Sequence, residues 1–360
     1  MRISKLVVTA LIALTTVVTG AVQASAAPAG FAPSSTSWPS VSHGWVLGWV
    51  PCGSDKCARL YQTMDGGKTW AQRVAPPIKP SEYGDPTRFT IGYDGGSTRG
   101  ASTALVTNGT TAYASYDGAR TWQTETFGAG GPLSVGTMKA STTDAYVLAT
   151  SGGTTQLYRS PLGKRAWTKA TPARKLDLTY PSGDIATRGA TAVVSIGSDS
   201  TAYAVWTTKN GTSWTRREPS CFQGALTQLA VPAAGKVFAL CSWAPGRGSM
   251  RKELKFSDTG AAFWTAGYPK DTGITSDFAA ASAEVAAVGS TGGDEAFVQL
   301  TTDGGYTWRT TLAQPETGPV HDLAFVDAKH GALVAGYADL GTSKPFRTVD
   351  GGKTWTTFSP

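Results

Sequence analysis

Residues 63–70 read TMDGGKTW, 301–308 read TTDGGYTW and 348–355 read TVDGGKTW. Residues 115–122, SYDGARTW, keep the pattern with one glycine fewer. Three worn copies are SPLGKRAW at 160–167, TTKNGTSW at 207–214 and SDTGAAFW at 257–264. Every copy ends in tryptophan, and the intervals between Trp70, Trp122, Trp167, Trp214, Trp264, Trp308 and Trp355 are 52, 45, 47, 50, 44 and 47 residues. A recurrence of this length marks a repeat architecture. Asp-Gly-Gly is turn chemistry: glycine takes positive φ without a Cβ clash, and the carboxylate can accept hydrogen bonds from the turn's own amides. Asp65, Asp117, Asp303 and Asp350 are therefore expected to be structural. The following Thr-Trp resumes extended chain, and its indole is expected to wedge between neighbouring units. Where the Asp position holds Lys209 or Thr259 the tryptophan is kept, which predicts that ring burial matters more than the turn's cap.

Working outward, each interval has room for four short strands and their turns. At the end of the chain, VHDLAFVDAKHGALVAG (320–336) reads as two strands around a turn near 327–331, followed by PFRTV (345–349) and TWTTF (354–358). At the start, FAPSSTSW (31–38), HGWVLGW (43–49), ARLYQTM (58–64) and TWAQRV (69–74) fill the same four slots. Each unit is thus expected to be contiguous in sequence, with the first packing on the last.

The octamer resembles the Asp-box, or bacterial neuraminidase repeat, Ser/Thr-x-Asp-x-Gly-x-Thr-Trp. Four copies match well and three are degenerate, across 27–360. The chain is similar to the seven-bladed propellers grouped with sortilin-like proteins, xyloglucan hydrolases and photosystem II stability factors. The resemblance implies an all-β chain: a single seven-bladed β-propeller of four-stranded antiparallel blades, with the Asp-box on the turn between the third and fourth strands. It is nearly silent on function, because such relatives do different things.

Composition agrees. The 360 residues include 43 glycines and 12 tryptophans, only 16% are charged and 41% are apolar, which excludes general disorder. Residues 1–26 carry Arg2 and Lys5, then an apolar run to about Val22, then Ala24-Ser25-Ala26; this predicts a signal peptide cut before Ala27. The alternative, a membrane anchor, is disfavoured because Thr and Gly interrupt the run and no basic stop-transfer stretch follows. The mature protein is expected to be secreted, monomeric and without a membrane span. Outside the cytosol four cysteines favour disulfides, 52–57 and 221–241 by proximity in sequence. A metal site is the alternative, but the spacing fits no common zinc pattern, and no metal or cofactor is expected.

Call the strands of a blade a to d from the centre outwards. The octamers then share a face with the a–b turns, and the d–a and b–c connections lie on the other. The longer connections are expected there: d–a at 75–88, 170–183, 217–225 and 313–319, and b–c at 50–57, 243–252 and 337–345. They supply the binding candidates Tyr83, Asp85, Arg88, Trp243, Arg247 and Arg251. Asp184, Asp277 and Asp322 begin inner strands 30, 31 and 33 residues before their blade's tryptophan. They could bind a sugar, a cation or a basic peptide at the channel mouth, but the favoured reading has them capping inner strands or contacting channel water.

Charge is uneven. Residues 159–255 hold 15 Lys and Arg against 5 Asp and Glu, a net of +10, whereas 256–360 hold 6 against 12, a net of −6. In a ring this predicts a positive arc over blades 3 to 5 and a negative one over blades 6 and 7; scattered charge most commonly serves solubility, though such a field can attract anionic polymers. A nucleic-acid partner is not expected. A sialidase would need six blades, an Arg-Ile-Pro motif, an arginine triad and a Tyr/Glu pair, and no Arg-Ile-Pro occurs here. A xyloglucanase-like hydrolase would set two carboxylates across a cleft, with Asp184, Asp277 and Asp322 as candidates, but such enzymes generally pair two propellers. No nucleophile elbow, phosphate loop or HExxH is present. The sequence therefore favours a non-catalytic binding or assembly scaffold for a glycan, a cell-envelope polymer or an exported protein, with a glycoside hydrolase as the alternative.

Overall fold

The computed structural model describes residues 26–360, apart from 81–86, 97–101, 128–132, 171–173, 176–180, 199–200, 234, 247 and 316–317. The predicted signal peptide and the candidates Tyr83, Asp85 and Arg247 lie outside the described residues.

Seven antiparallel sheets follow one another, each taking its four strands consecutively from the chain. Blade 1 comprises Ala32–Ser37, Gly44–Cys52, Asp55–Thr63 and Ala71–Arg73. Blades 2 to 7 occupy 88–125, 133–169, 181–217, 226–267, 274–314 and 320–357. In blade 3 the short strand Arg174–Lys175 continues the outer edge. Among the described residues no strand is exchanged between sheets. The ring closes by packing: Ala27 N donates to the Pro360 carbonyl at 2.7 Å, and the Trp70 ring stacks on Phe358 at 5.8 Å.

The core lies in the seams. Trp45, Leu47, Trp49 and Leu60 of blade 1 meet Phe89, Ile91 and Val106 of blade 2. Tyr146, Leu148 and Leu157 of blade 3 meet Ile185, Val194 and Ile196 of blade 4. Because each blade is sandwiched between two others, its b strand is covered on both faces. Gly44–Val50 and Thr191–Ser198 are buried without a break, where a sheet with one wet face would alternate.

Two connections expected as loops are strand instead. Residues 50–57 carry strands b and c of blade 1 to a turn at Gly53–Ser54, closed by the Cys52–Cys57 disulfide. Residues 243–252 belong to a long hairpin, Lys236–Gly246 with Ser249–Ser257, in which Trp243 pairs with Arg251. The reason is the same in both: cross-strand pairing continues past the blade rim until a turn residue stops it.

The octamers form the c–d turns. Thr63 Oγ1 donates to Asp65 Oδ1 at 2.8 Å and accepts from Gly67 N at 2.8 Å. Asp65 Oδ1 also accepts from the amides of Lys68 and Thr69, and Thr69 Oγ1 donates to Oδ2. Asp117, Asp303 and Asp350 repeat this cage. Hydrogen bonds from Thr307 hold the Asp303 carboxyl down at about 2. Gly66 and Gly67 sit at φ 73° and 86°, the conformation that requires glycine.

Two worn copies differ from expectation. In blade 4 the register places Thr208 where Thr63 stands, so the turn is one residue shorter and Asn210, not Lys209, holds the Asp position. Asn210 Oδ1 accepts from the amides of Thr212 and Ser213, so the cap survives. In blade 5 Phe256 pairs with Trp264, which makes Trp264 the first residue of strand d. Phe263 packs into the seam in its place, and Trp264 is 48% exposed. Blade 5 thus overturns the expectation that all seven tryptophans are wedges. Trp70 is buried; Trp122, Trp167, Trp214, Trp308 and Trp355 are half-buried against seam clusters.

Candidate functional site

The inner strands of all seven blades enclose a central cavity of about 480 Å³. Asp184, Asp277 and Asp322 line it, and so do Arg88, expected on the d–a connection, and Lys139 and Arg188.

The three carboxylates share one geometry. Asp184 of blade 4 accepts from its neighbour Ile185 N at 2.8 Å and from Leu229 N of blade 5 at 2.7 Å. Asp277 of blade 6 accepts from Phe278 N at 2.8 Å and from Leu323 N of blade 7 at 2.9 Å. Asp322 of blade 7 accepts from Thr36 N of blade 1 at 2.9 Å and from the Ser35 hydroxyl, and it pairs with Arg88 Nη1 of blade 2 at 3.4 Å. Each side chain thus clasps the inner strand of the next blade. In blade 1 Ser35 does the same through its hydroxyl, which accepts from Phe89 N of blade 2 at 2.8 Å. Asp322 is one of two non-glycine residues with positive φ among the described residues, 53°, and lies at a break in strand register.

Electrostatics follow from the desolvation of these half-buried carboxylates. Desolvation pushes the Asp184 carboxyl up to about 6, and the Lys139 charge opposes it. Asp277 is raised for the same reason, countered by Arg88. His321, beside Asp322, is 3% exposed, and neither ring nitrogen has a hydrogen-bond partner among the described residues. Burial drives its pKa down to about 4.

The other candidates sit apart from the cavity lining. Trp243 is half-buried against the Cys221–Cys241 disulfide, and exposed Phe222 meets its ring edge-on at 5.0 Å. Arg251 is exposed beside it in the hairpin. Lys252, next in sequence, was not singled out. It is 1% exposed, and its ammonium donates to the carbonyls of Met250, Lys270, Thr272 and Gly273 at 2.9–3.3 Å. It thereby ties down the connection from blade 5 to blade 6, and burial pushes its pKa down to about 8. An alternation of inward and outward residues through 249–257 was the only signal that could have found it. Among the described residues, no group of three His, Cys, Asp or Glu could hold a metal, and no helix is long and apolar enough to cross a membrane.

No protein-family model and no curated protein matches the chain. Solved structures do. YCF48 bound to D1 peptide is similar with a TM-score of 0.57 at 16% identity, covering 91% of this chain and 96% of that one. YCF48 from Cyanidioschyzon merolae gives 0.56 at 15% identity, over 90% and 97% of the two chains. A PL25 ulvan lyase polysaccharide lyase gives 0.52 at 12% identity, over 88% and 91%. At such identities the likeness is one of fold: this chain is a seven-bladed β-propeller.

Proposed function

We propose that the chain is an exported, non-catalytic binding or assembly scaffold that holds an exported protein or an envelope glycan on the face opposite the octamers. The observation that carries this reading is the commitment of the cavity carboxylates. All three accept backbone amides across a seam, so their oxygens are engaged in holding neighbouring blades together and nucleophilic attack would break a clasp of the ring. The same face offers an aromatic pair, Phe222 and Trp243, anchored on a disulfide. Aromatic anchors on a rigid base are what binding surfaces use. A propeller of the same fold is known with a bound peptide, which supports a protein partner. Two disulfides and the leader-like residues 1–26 support export. The octamer chemistry supports placing the chain with the Asp-box propellers.

The test is affinity capture of envelope and culture-fluid components on immobilised chain 27–360, repeated with Trp243→Ala and Phe222→Ala. The reading expects a specific component retained by the parent and lost from both variants, with unchanged circular dichroism. Equal retention by all three removes this face. A glycan-cleaving reading rests on Asp184, whose raised carboxyl would suit a general acid. Glycan hydrolysis that disappears in a folded Asp184→Asn chain would replace the scaffold reading.

A further inference from the structure

The seams between blades are filled in a regular way, and one departs from it. In blades 2, 3, 5, 6 and 7 the third residue after the seam aromatic lies on strand d or just beyond it and meets the next blade. Phe358 of blade 7 stacks on Trp70 of blade 1. Thr311 of blade 6 accepts from Trp355 Nε1 of blade 7 at 3.3 Å. Glu125 of blade 2 pairs with Arg165 of blade 3 at 3.0 Å. In blade 4 this position is Arg217. Across the seam, blade 5 offers Ala261 where blade 3 has Arg165, and Phe263 where the other blades have tryptophan.

A cavity of about 240 Å³ lies in this seam. Blade 4 lines it with Thr207, Lys209, Ser213, Thr215 and Arg217, and blade 5 with Thr259. Among the described residues no carboxylate lines it. The half-buried Arg217 donates from Nε to Thr207 Oγ1 at 3.3 Å and has no ion pair among the described residues. In this seam a smaller ring stands where the other blades carry an indole, the turn is shortened and Trp264 faces outward. The seam also falls within the positive arc of 159–255, where the net charge is +10.

We propose that the seam between blades 4 and 5 is a binding site for one acidic sugar residue, carrying a carboxylate or a sulfate ester, of a larger glycan. A guanidinium recognises both groups through parallel hydrogen bonds, and Lys209 adds charge at the exposed edge. Threonine and serine hydroxyls both donate and accept, which matches sugar hydroxyls. Val193 and Val237 supply an apolar wall for the ring. The cavity is smaller than the roughly 300–1,000 Å³ of drug-sized pockets, which suits a single ring. The site is on the octamer side of the ring and does not depend on the face assigned above.

The experiment is calorimetric titration of the chain 27–360 with four probes: a galacturonate tetramer, a sulfated galactan tetramer, neutral cellotetraose and inorganic sulfate. One or both acidic tetramers bind, and the stronger of them identifies the acidic group. Arg217→Gln weakens that binding by roughly tenfold or more. Thr259→Trp, which fills the cavity and leaves the guanidinium intact, abolishes it, while Lys353→Ala on the exposed octamer of blade 7 leaves it unchanged. Thermal midpoints confirm that each variant is folded. Any of four results overturns the site: neither acidic tetramer binding up to about 10 mM, cellotetraose binding as well as they do, inorganic sulfate binding as tightly as either, or full affinity retained in both Arg217→Gln and Thr259→Trp.

Discussion

At the scale of single residues, His321 has the clearest consequence. Its pKa is about 4 in the folded chain and near 6.5 in the unfolded one. The folded state therefore refuses a proton that the unfolded state accepts, and this costs stability as pH falls from about 6.5 to 4. The slope is up to about 1.4 kcal/mol per pH unit. Asp184 works in the opposite sense. Its raised carboxyl binds a proton first in the folded state, so acidification from about 6 towards 3.8 adds stability. Comparing His321→Leu with the parent isolates the histidine: the variant's advantage in urea unfolding should grow steadily between pH 6.5 and 4. A difference that stays flat across that window would show that the ring is not buried neutral. Below this range the octamer carboxylates take over, because Asp303 at about 2 loses its bonds only in strong acid.

At the scale of elements, the register of strand d decides which aromatic enters a seam. Trp70→Ala should cost about 3–5 kcal/mol in denaturant unfolding, as for other buried large-to-small changes. Trp308→Ala should cost less, because its ring is only half-buried. In blade 5 the order of the last two octamer residues reverses: Phe263→Ala should cost more than Trp264→Ala, whose exposed ring contributes little. A larger loss at Trp264 would contradict the register of strand d. The disulfide of the same blade closes a loop with a sequence separation of 20. Replacing Cys221 and Cys241 by serine should cost about 2–4 kcal/mol and free the Phe222–Trp243 pair, seen as a changed near-ultraviolet dichroism. An unchanged aromatic signal would mean that the pair is rigid without its bridge.

At the scale of the whole molecule, the ring is a closed circuit of seams in which the join between blades 7 and 1 has no strand in common. It is held by Phe358 against Trp70, by the Ala27–Pro360 hydrogen bond, by Arg347 Nη1 on the Gly66 carbonyl and by Asp322 on Thr36. Removing residues 358–360 should lower the thermal midpoint and raise hydrogen exchange first in blades 1 and 7. Uniform loss of protection around the ring would show instead that no seam is special.

The fold was legible because its signals are local. Asp65 meets Thr69 four residues on, and the octamer spacing alone counts the blades. The clasps were legible only as recurring aspartates, since Asp322 and Thr36 are 286 positions apart and their bond says nothing until the ring closes. The displaced Trp264, the standing of Asn210 and the Arg217 seam depend on pairing register, which a worn octamer does not reveal. What the amino-acid order determined by itself was the number of units, their turn chemistry and the disulfide pairs. Tertiary structure alone decided which aromatic fills a seam and which carboxylate is spoken for, because closure sets side chains distant in sequence within a hydrogen bond of one another.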